Sequence, residues 1–344
     1  MVTSVFPPRY AGGVIQAIHL SKELKKQGID VEFVTDNFET TSISDTFEGI
    51  PVHRLKTFRE TKGISRKFRE LLYVIKVFGL IRAKGYDVVF LHSVPALTIF
   101  LFPWVKWIGK KTVLELTLVD SDDPATLKKR RLGPIFHRCL LSATKIVAIS
   151  SRLHELSLEA GIPLRNLALI PVGVDTSKFY PSSQEEKEKW KRELGYADKE
   201  IIFIAVGQVE DRKGYEFMLN AWKIIQERLP NAALLIAGPK NTPENPYFVK
   251  LSLLREKLAL RNVKFLGMVT NVNDYMKTAD CLLHCGANEG LPNTLVEASV
   301  SSVPIVCLYI EGVTSDIIFD PVIGKECKSA SAADFAEMAI SFVT

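Results

Sequence analysis

Short apolar runs alternate along this chain with longer segments whose apolar residues recur every three or four positions. Runs of roughly four to eight aliphatic residues bounded by breakers read as buried strands, and the longer segments as helices. In the first half this predicts strands over residues 2–5, 30–35, 87–91, 112–118 and 145–149. A helix over 13–27 sets Val14, Ala17, Ile18, Leu20 and Leu24 at mostly helical spacing. In the second half strands are expected over 201–206, 233–237, 263–266, 281–284 and 304–307, with helices between them.

Alternation of this kind is the signature of parallel sheets wrapped by helices, so the fold class is α/β with two Rossmann-like domains. Pro, Gly, Asp and Ser break the periodicity over 171–181, ahead of a charged helix expected over 184–194. The domains are therefore set at 1–175 and 176–344, each of ordinary domain size. Both ends read as clipped, with almost nothing before the first strand and a short or incomplete last helix at Thr344.

Composition narrows the class. With 47% hydrophobic and 24% charged residues and no repeats, the chain is an ordinary globular protein. Cys139, Cys281, Cys285, Cys307 and Cys327 are scattered without a CxxC pair, which argues against a disulfide framework or zinc site and fits a reducing cytoplasm. No secretory signal is read, since the start runs straight into Phe6-Pro7-Pro8. Residues 88–105 lack formal charge over 18 positions, near the length of a membrane span, but His92, Pro95 and Pro103 interrupt them. A strand followed by an apolar helix between the two prolines and slightly beyond is expected instead. Residues 1–175 carry 25 Lys and Arg against 17 Asp and Glu, and the remainder 19 against 22, so the first half is the basic one.

The chemistry concentrates in Asn288-Glu289-Gly290-Leu291-Pro292-Asn293-Thr294-Leu295-Val296-Glu297-Ala298. A strand leads into a small-residue loop, and Pro292 stands where a first helical residue is expected. Glu289 stays in the loop, while Glu297 lies about 8 Å along the helix at roughly 1.5 Å per residue. Free amides and the positive end of the helix suit a diphosphate held between the two carboxylates.

This segment resembles the retaining glycosyltransferases of family 4, the glycosyl transferases group 1, which have the GT-B fold of two Rossmann-like domains facing each other across a cleft. Three more segments fall in that family's order. Ala11-Gly12-Gly13 resembles its glycine loop, Leu169-Ile170-Pro171-Val172-Gly173-Val174-Asp175 its interdomain segment, and 207–214, ending in Arg212-Lys213-Gly214, its basic phosphate-binding loop. The resemblance implies that the first domain receives the acceptor and the second a nucleotide-diphosphate sugar, UDP- or GDP-linked. It gives catalytic roles to Lys213, Arg212 and Glu289, with Glu289 on the sugar. Donor contacts are implied for Gly12, Gly13, Gly290, Leu291, Pro292, Asn293 and Thr294, for Glu297 on the ribose, and for Gly267 near the base. No resident cofactor is implied.

Negative charge grows on the leaving phosphate as a glycosyl bond breaks, so cations held there accelerate transfer. Lys213 at a strand end is the first choice for that cation; a solvated basic loop is the plain alternative. Gly12 and Gly13 let backbone approach a ligand, although a lone Gly pair more often marks a turn, and no GxGxxG follows. The family's histidine at the end of the fourth strand is replaced by about Thr117, and its arginine after the strand glycine by Gln208. His92, one strand earlier, is another imidazole at a strand end, with a satisfied polar group as its plain alternative. Asp120, Asp122 and Asp123 read as turn and cap chemistry before Pro124, not as a metal site. With cations and a helix end answering the phosphate, no metal is expected.

Residues 63–84 read as a basic amphipathic helix with Ile64, Phe68, Leu71, Leu72, Ile75, Phe78 and Ile81 on one face, and Lys128-Lys129-Arg130-Arg131 adds charge. Two readings stand: peripheral contact with the anionic inner face of the cell membrane, or an ordinary core-facing helix with a solvated basic side. Nucleic acid is not expected, because aromatics are not interleaved with the charges. The function expected is transfer of a sugar to a glycan or lipid-linked acceptor in surface polysaccharide or glycolipid assembly. The alternatives are a nucleotide-sugar epimerase of the same fold and a non-catalytic nucleotide-sugar-binding protein.

Overall fold

The computed structural model describes residues 1–8, 12–36, 44–56, 66–92, 96–197 and 200–344. They form two compact units, Met1–Gly173 and Val174–Thr344.

Unit 1 runs β1 (Val2–Thr3), α1 (Gly12–Lys26), β2 (Phe33–Asp36), β3 (Ser44–Phe47), β4 (Ile50–Leu55), α2 (Arg66–Lys84) and β5 (Val88–His92). A 3-10 turn, Ala96–Phe100, leads into α3 (Leu101–Trp107), then β6 (Lys111–Leu116), α4 (Pro124–Lys129), α5 (Gly133–Leu140), β7 (Lys145–Ala148), α6 (Ser151–Glu159) and β8 (Leu167–Leu169). The strands form one sheet in the order β3-β4-β2-β1-β5-β6-β7-β8. All pairs are parallel except β3 with β4. That hairpin was not expected: Glu48 and Gly49 both take positive φ, 51° and 77°, between the paired Phe47 and Ile50, as a two-residue turn requires. The apolar helix after β5 runs beyond the second proline as expected: Pro103 lies inside α3, in its first turn, where a missing amide costs little. Ser93 and Pro95 fall outside the described residues, as do Ala11 and the start of the expected 63–84 helix.

Unit 2 runs α7 (Gln184–Glu193), β9 (Ile201–Val206), a 3-10 turn (Asp211–Lys213), α8 (Tyr215–Arg228), β10 (Ala232–Ala237), α9 (Pro246–Lys257) and β11 (Val263–Gly267). It continues with α10 (Val272–Thr278), β12 (Cys281–His284), α11 (Asn293–Val300), β13 (Ile305–Leu308), β14 (Gly324–Cys327) and α12 (Ala332–Ile340). Its sheet is parallel throughout, in the order β11-β10-β9-β12-β13-β14. All six residues of β10 are buried, which is why the strand reads as a continuous apolar run. Trp222 of α8 is fully buried against it, and its indole N–H donates to the Arg261 carbonyl at 3.2 Å. All five cysteines are free and buried. Among the described residues no helix is long and apolar enough to cross a membrane.

Candidate active site

In unit 2 the first strand, β9, has its successors β10 and β11 on one side and β12, β13 and β14 on the other. The chain therefore reverses its direction of travel between β9 and β12. Ligands of such sheets bind beyond the strands' carboxyl ends at that reversal. The segments leaving β9 and β12 there are 207–214 and 285–292, which hold half of the expected site residues.

The two segments are pressed together backbone to backbone. Gly214, in the left-handed region at φ 66°, opens α8, and a Cβ there would lie 2.2 Å from the Cys285 carbonyl oxygen. Ala287 donates its amide to the Arg212 carbonyl at 3.2 Å. This closeness brings Lys213 Nζ to 2.5 Å from Glu289 Oε1 and Arg212 Nη1 to 3.5 Å from Glu289 Oε2. Arg212 also reaches Glu210 at 3.3 Å, and Lys240 forms an ion pair with Glu210. Lys213 and Glu289 are both mostly buried. Glu289 thus answers two cations instead of standing free for a ligand, a relationship that sequence reading missed.

Behind Glu289 stands His284, the last residue of β12, 4% exposed, with Nε2 at 3.6 Å from Glu289 Oε1 but no hydrogen bond. Burial chiefly, partly opposed by Glu289, lowers its pKa to about 4, so the ring is neutral at physiological pH. A Cβ at Gly286 would lie 2.6 Å from Glu289 Oε1 and 2.9 Å from His284 Nε2, so a larger residue there would have to push one of these side chains aside. Asn288 Oδ1 is likewise buried without a hydrogen-bond partner. His284 and Gly286 were missed because the run into the loop reads simply as strand and turn.

Pro292 is the N-cap of α11, one residue before the position expected for it, and supplies no side-chain acceptor to that helix end. Leu291 and Pro292 are buried, and Asn293 and Thr294 form the first turn. Glu297 lies on the same short helix. It is half-buried there, and burial pushes its carboxyl up to about 7.

Beside β9 the strand ends are glycines, and the Lys213 and Tyr215 side chains lie against Gly207. A Cβ at Gly238, after β10, would lie 1.9 Å from the Gly207 carbonyl oxygen, and the Gly238 amide donates to the Gly267 carbonyl at 2.8 Å. Three neighbouring strands thus end in glycines 207, 238 and 267. Gly267, at φ 73°, closes the edge strand β11 beside Asn241, two strands away from Lys213. Gly238 was signalled only by its place between Ala237 and Pro239.

In unit 1 the reversal lies between β1 and β5. Gly12 and Gly13 form the first turn of α1, so they open a helix and not only a loop. His92, at the end of β5, is 1% exposed with Nδ1 3.1 Å from a Glu115 carboxylate oxygen, and is a buried group. Thr117 donates its amide and hydroxyl to Asp122 at 2.9 and 2.7 Å. Asp123 caps α4 by accepting from the Thr126 amide at 2.8 Å. The acidic run is therefore turn and cap chemistry. Among the described residues no group of three or more His, Cys, Asp or Glu is arranged to hold a metal.

Residues 11–173 match the model of the glycosyl transferase 4-like domain, and residues 186–344 that of the glycosyl transferases group 1. An uncharacterized glycosyltransferase of Methanocaldococcus jannaschii is 25% identical over 91% of this chain and 80% of its own length. The alpha-monoglucosyldiacylglycerol synthase of Acholeplasma laidlawii is 30% identical over 44% of this chain and 37% of its own. Other curated relatives are matched over 32% to 53% of their length. The crystal structure of Anabaena HepE in complex with UDP and glucose superposes with a TM-score of 0.76 at 17% identity, covering 99% of this chain and 88% of that one. The fold is thus GT-B, and with the two models together spanning nearly all of it, the chain belongs to the group 1 glycosyl transferases.

Proposed function

We propose that this protein is a retaining glycosyltransferase that moves a sugar from a nucleotide-diphosphate sugar to a glycan or lipid-linked acceptor in surface polysaccharide or glycolipid assembly. The observation that carries the reading is the contact of Lys213 and Arg212 with Glu289 at the strand reversal of unit 2, beside the start of α11. Cations and helix amides are the groups that answer a diphosphate. Solved GT-B structures holding UDP-glucose or UDP support a nucleotide-sugar donor, and diacylglycerol-glycolipid synthases among the relatives support a lipid-linked acceptor.

In this reading the donor's diphosphate draws Lys213 and Arg212 from Glu289, and the released carboxylate accepts hydrogen bonds from the sugar's hydroxyls. As the bond between the anomeric carbon and the phosphate oxygen breaks, the two cations and the amides at the start of α11 take up the growing negative charge. The acceptor hydroxyl attacks the face the phosphate leaves, and the phosphate oxygen takes its proton, so configuration is retained without a protein base. Glu297 accepts from the ribose hydroxyls. Gly12 and Gly13 give the backbone of α1 close approach to donor and acceptor. The cations make a divalent metal unnecessary.

The test is incubation with UDP- and GDP-linked sugars and a lipid-linked acceptor, followed by NMR of donor and product. The expected result is acceptor-dependent donor consumption with the anomeric configuration kept. An inverted product, or an epimerised donor formed without acceptor, contradicts it.

A further inference from the structure

In unit 1 the connections from β4 to β5, β5 to β6 and β6 to β7 all travel in one direction across the sheet. Right-handed crossovers place their helices on one side of it, and α2, α3 and α5 pack as neighbours there. Such a helix ordinarily turns one apolar stripe to the sheet and a polar face to water. This layer departs from that rule.

On α2 the buried seam is Tyr73, Val74, Val77 and Ile81. Phe68, Leu71 and Ile75, spaced by three and four, lie on the opposite side, and all three are exposed, Phe68 and Ile75 at 49%. The expectation of one apolar face that includes Ile81 is thus corrected: the helix has two, and the face carrying Phe68 looks outward. The stripe continues onto α3, where the Trp104 ring packs tilted against Phe78 with centroids 5.3 Å apart and Trp107 is 79% exposed. Beyond α3, Ile135 and Leu141 are exposed on and just after α5. Charge follows the same layer: residues 67–84, 101–111 and 124–142 hold 13 Lys and Arg against one acid, Glu70.

We infer that the outer face of the α2, α3 and α5 layer docks on an anionic lipid bilayer. Exposed indoles beside aliphatic side chains suit the boundary between headgroups and acyl chains, and a dense basic surround is drawn to anionic headgroups. A protein interface core is depleted in lysine, which argues against a protein partner, and nucleic acid gives Leu71, Ile75 and Ile135 nothing to bury against. The inference does not depend on the transfer reaction, because none of these residues lies in the candidate active site.

The test is flotation of the full chain with vesicles of phosphatidylcholine alone and of phosphatidylcholine mixed with phosphatidylglycerol. The protein is expected to float with the anionic vesicles only, to be released by high salt, and to show a blue-shifted tryptophan emission when bound. The double variant Ile75→Ser, Trp107→Ser changes two exposed side chains. It is expected to bind roughly tenfold more weakly or worse, with its melting temperature and nucleotide binding unchanged. Binding to neither vesicle, binding to both alike, or binding that survives the double variant overturns the inference. So does a solution dimer, or RNA binding, that the same variant abolishes.

Discussion

Lys213 and Glu289 stand 76 residues apart in the chain, yet Lys213 Nζ lies 2.5 Å from Glu289 Oε1. The contact exists because β9 and β12, which precede them, are adjacent parallel strands, with Cys281 paired to Phe203 and Leu282 to Ile204. Removing one partner from a pair this buried leaves the other charge uncompensated. A ligand that replaces Glu289 on Lys213 must therefore bring its own negative charge, and must leave Glu289 with new hydrogen-bond donors. A nucleotide-diphosphate sugar supplies both, the phosphate for Lys213 and the hydroxyls for Glu289.

Neutralising either partner separates these roles. Lys213→Met is expected to lower kcat by about 100- to 1000-fold, the usual cost of removing one group that stabilises a developing anion. Glu289→Gln keeps the shape and frees Lys213, so free nucleoside diphosphate is expected to bind at least as well while sugar transfer falls. Calorimetric titration beside turnover measurements checks both, and parallel losses of diphosphate binding in the two variants would contradict the division of labour.

Glu297 predicts a pH dependence. Its carboxyl is raised from 4.5 to about 7 in the folded protein, so the protonated form is favoured by folding. That contribution is complete below the ordinary carboxyl range and is lost as pH rises through about 7. Relative to Glu297→Gln, the parent is expected to lose melting temperature between about pH 5 and about pH 8. If the ionised form accepts the ribose hydroxyls, nucleotide affinity rises over the upper part of that range in the parent and stays flat in Glu297→Gln. Melting curves and titrations at matched ionic strength read both.

Two glycines with similar backbones predict different costs. Gly214 and Gly195 both take positive φ, 66° and 80°, but an added Cβ at Gly195 meets nothing within 4 Å while one at Gly214 lies 2.2 Å from the Cys285 carbonyl oxygen. Gly195→Ala is expected to cost about 1–2 kcal/mol of stability through conformation alone. Gly214→Ala must also separate the two site-bearing segments, and is expected to cost more and to weaken nucleotide binding. Equal denaturation midpoints for the two variants would count against the close approach of those segments.

The charges beside the expected phosphate position predict insensitivity to chelation. Turnover is expected to be unchanged after exhaustive EDTA treatment and dialysis, because Lys213, Arg212 and the start of α11 carry the electrostatic role. Loss of activity that magnesium or manganese restores would contradict this.

Much of unit 2 was legible in the sequence because its strands are buried on both faces: residues 201–206 read as an uninterrupted apolar run, 281–284 as an apolar run closed by His284, and both are the strands found. The β3–β4 hairpin escaped because its turn is Glu48-Gly49 and Pro51 interrupts the alternation. Gly324–Cys327 escaped because Lys325 and Glu326 give an edge strand no apolar signature. On α2, periodicity found an apolar face but not which way it looks, since Tyr73, Val74 and Val77 make the other side apolar too. At the site, a helix start and a basic loop are local patterns and could be read. The ion pair between Lys213 and Glu289, and the corner shared by Glu289, His284 and Gly286, depend on which strands lie side by side, and spacing along the chain does not encode that.

The most direct test of the central claim, that Lys213 and the start of α11 hold a diphosphate, is equilibrium titration of the parent and Lys213→Met with UDP, GDP and their nucleosides. The parent is expected to bind one of the diphosphates at least roughly tenfold more tightly than its nucleoside, as a charge-assisted contact of about 1.5–3 kcal/mol requires, and Lys213→Met to lose most of that difference. Equal binding of nucleoside and diphosphate by the parent, or an undiminished preference in Lys213→Met, would contradict the account.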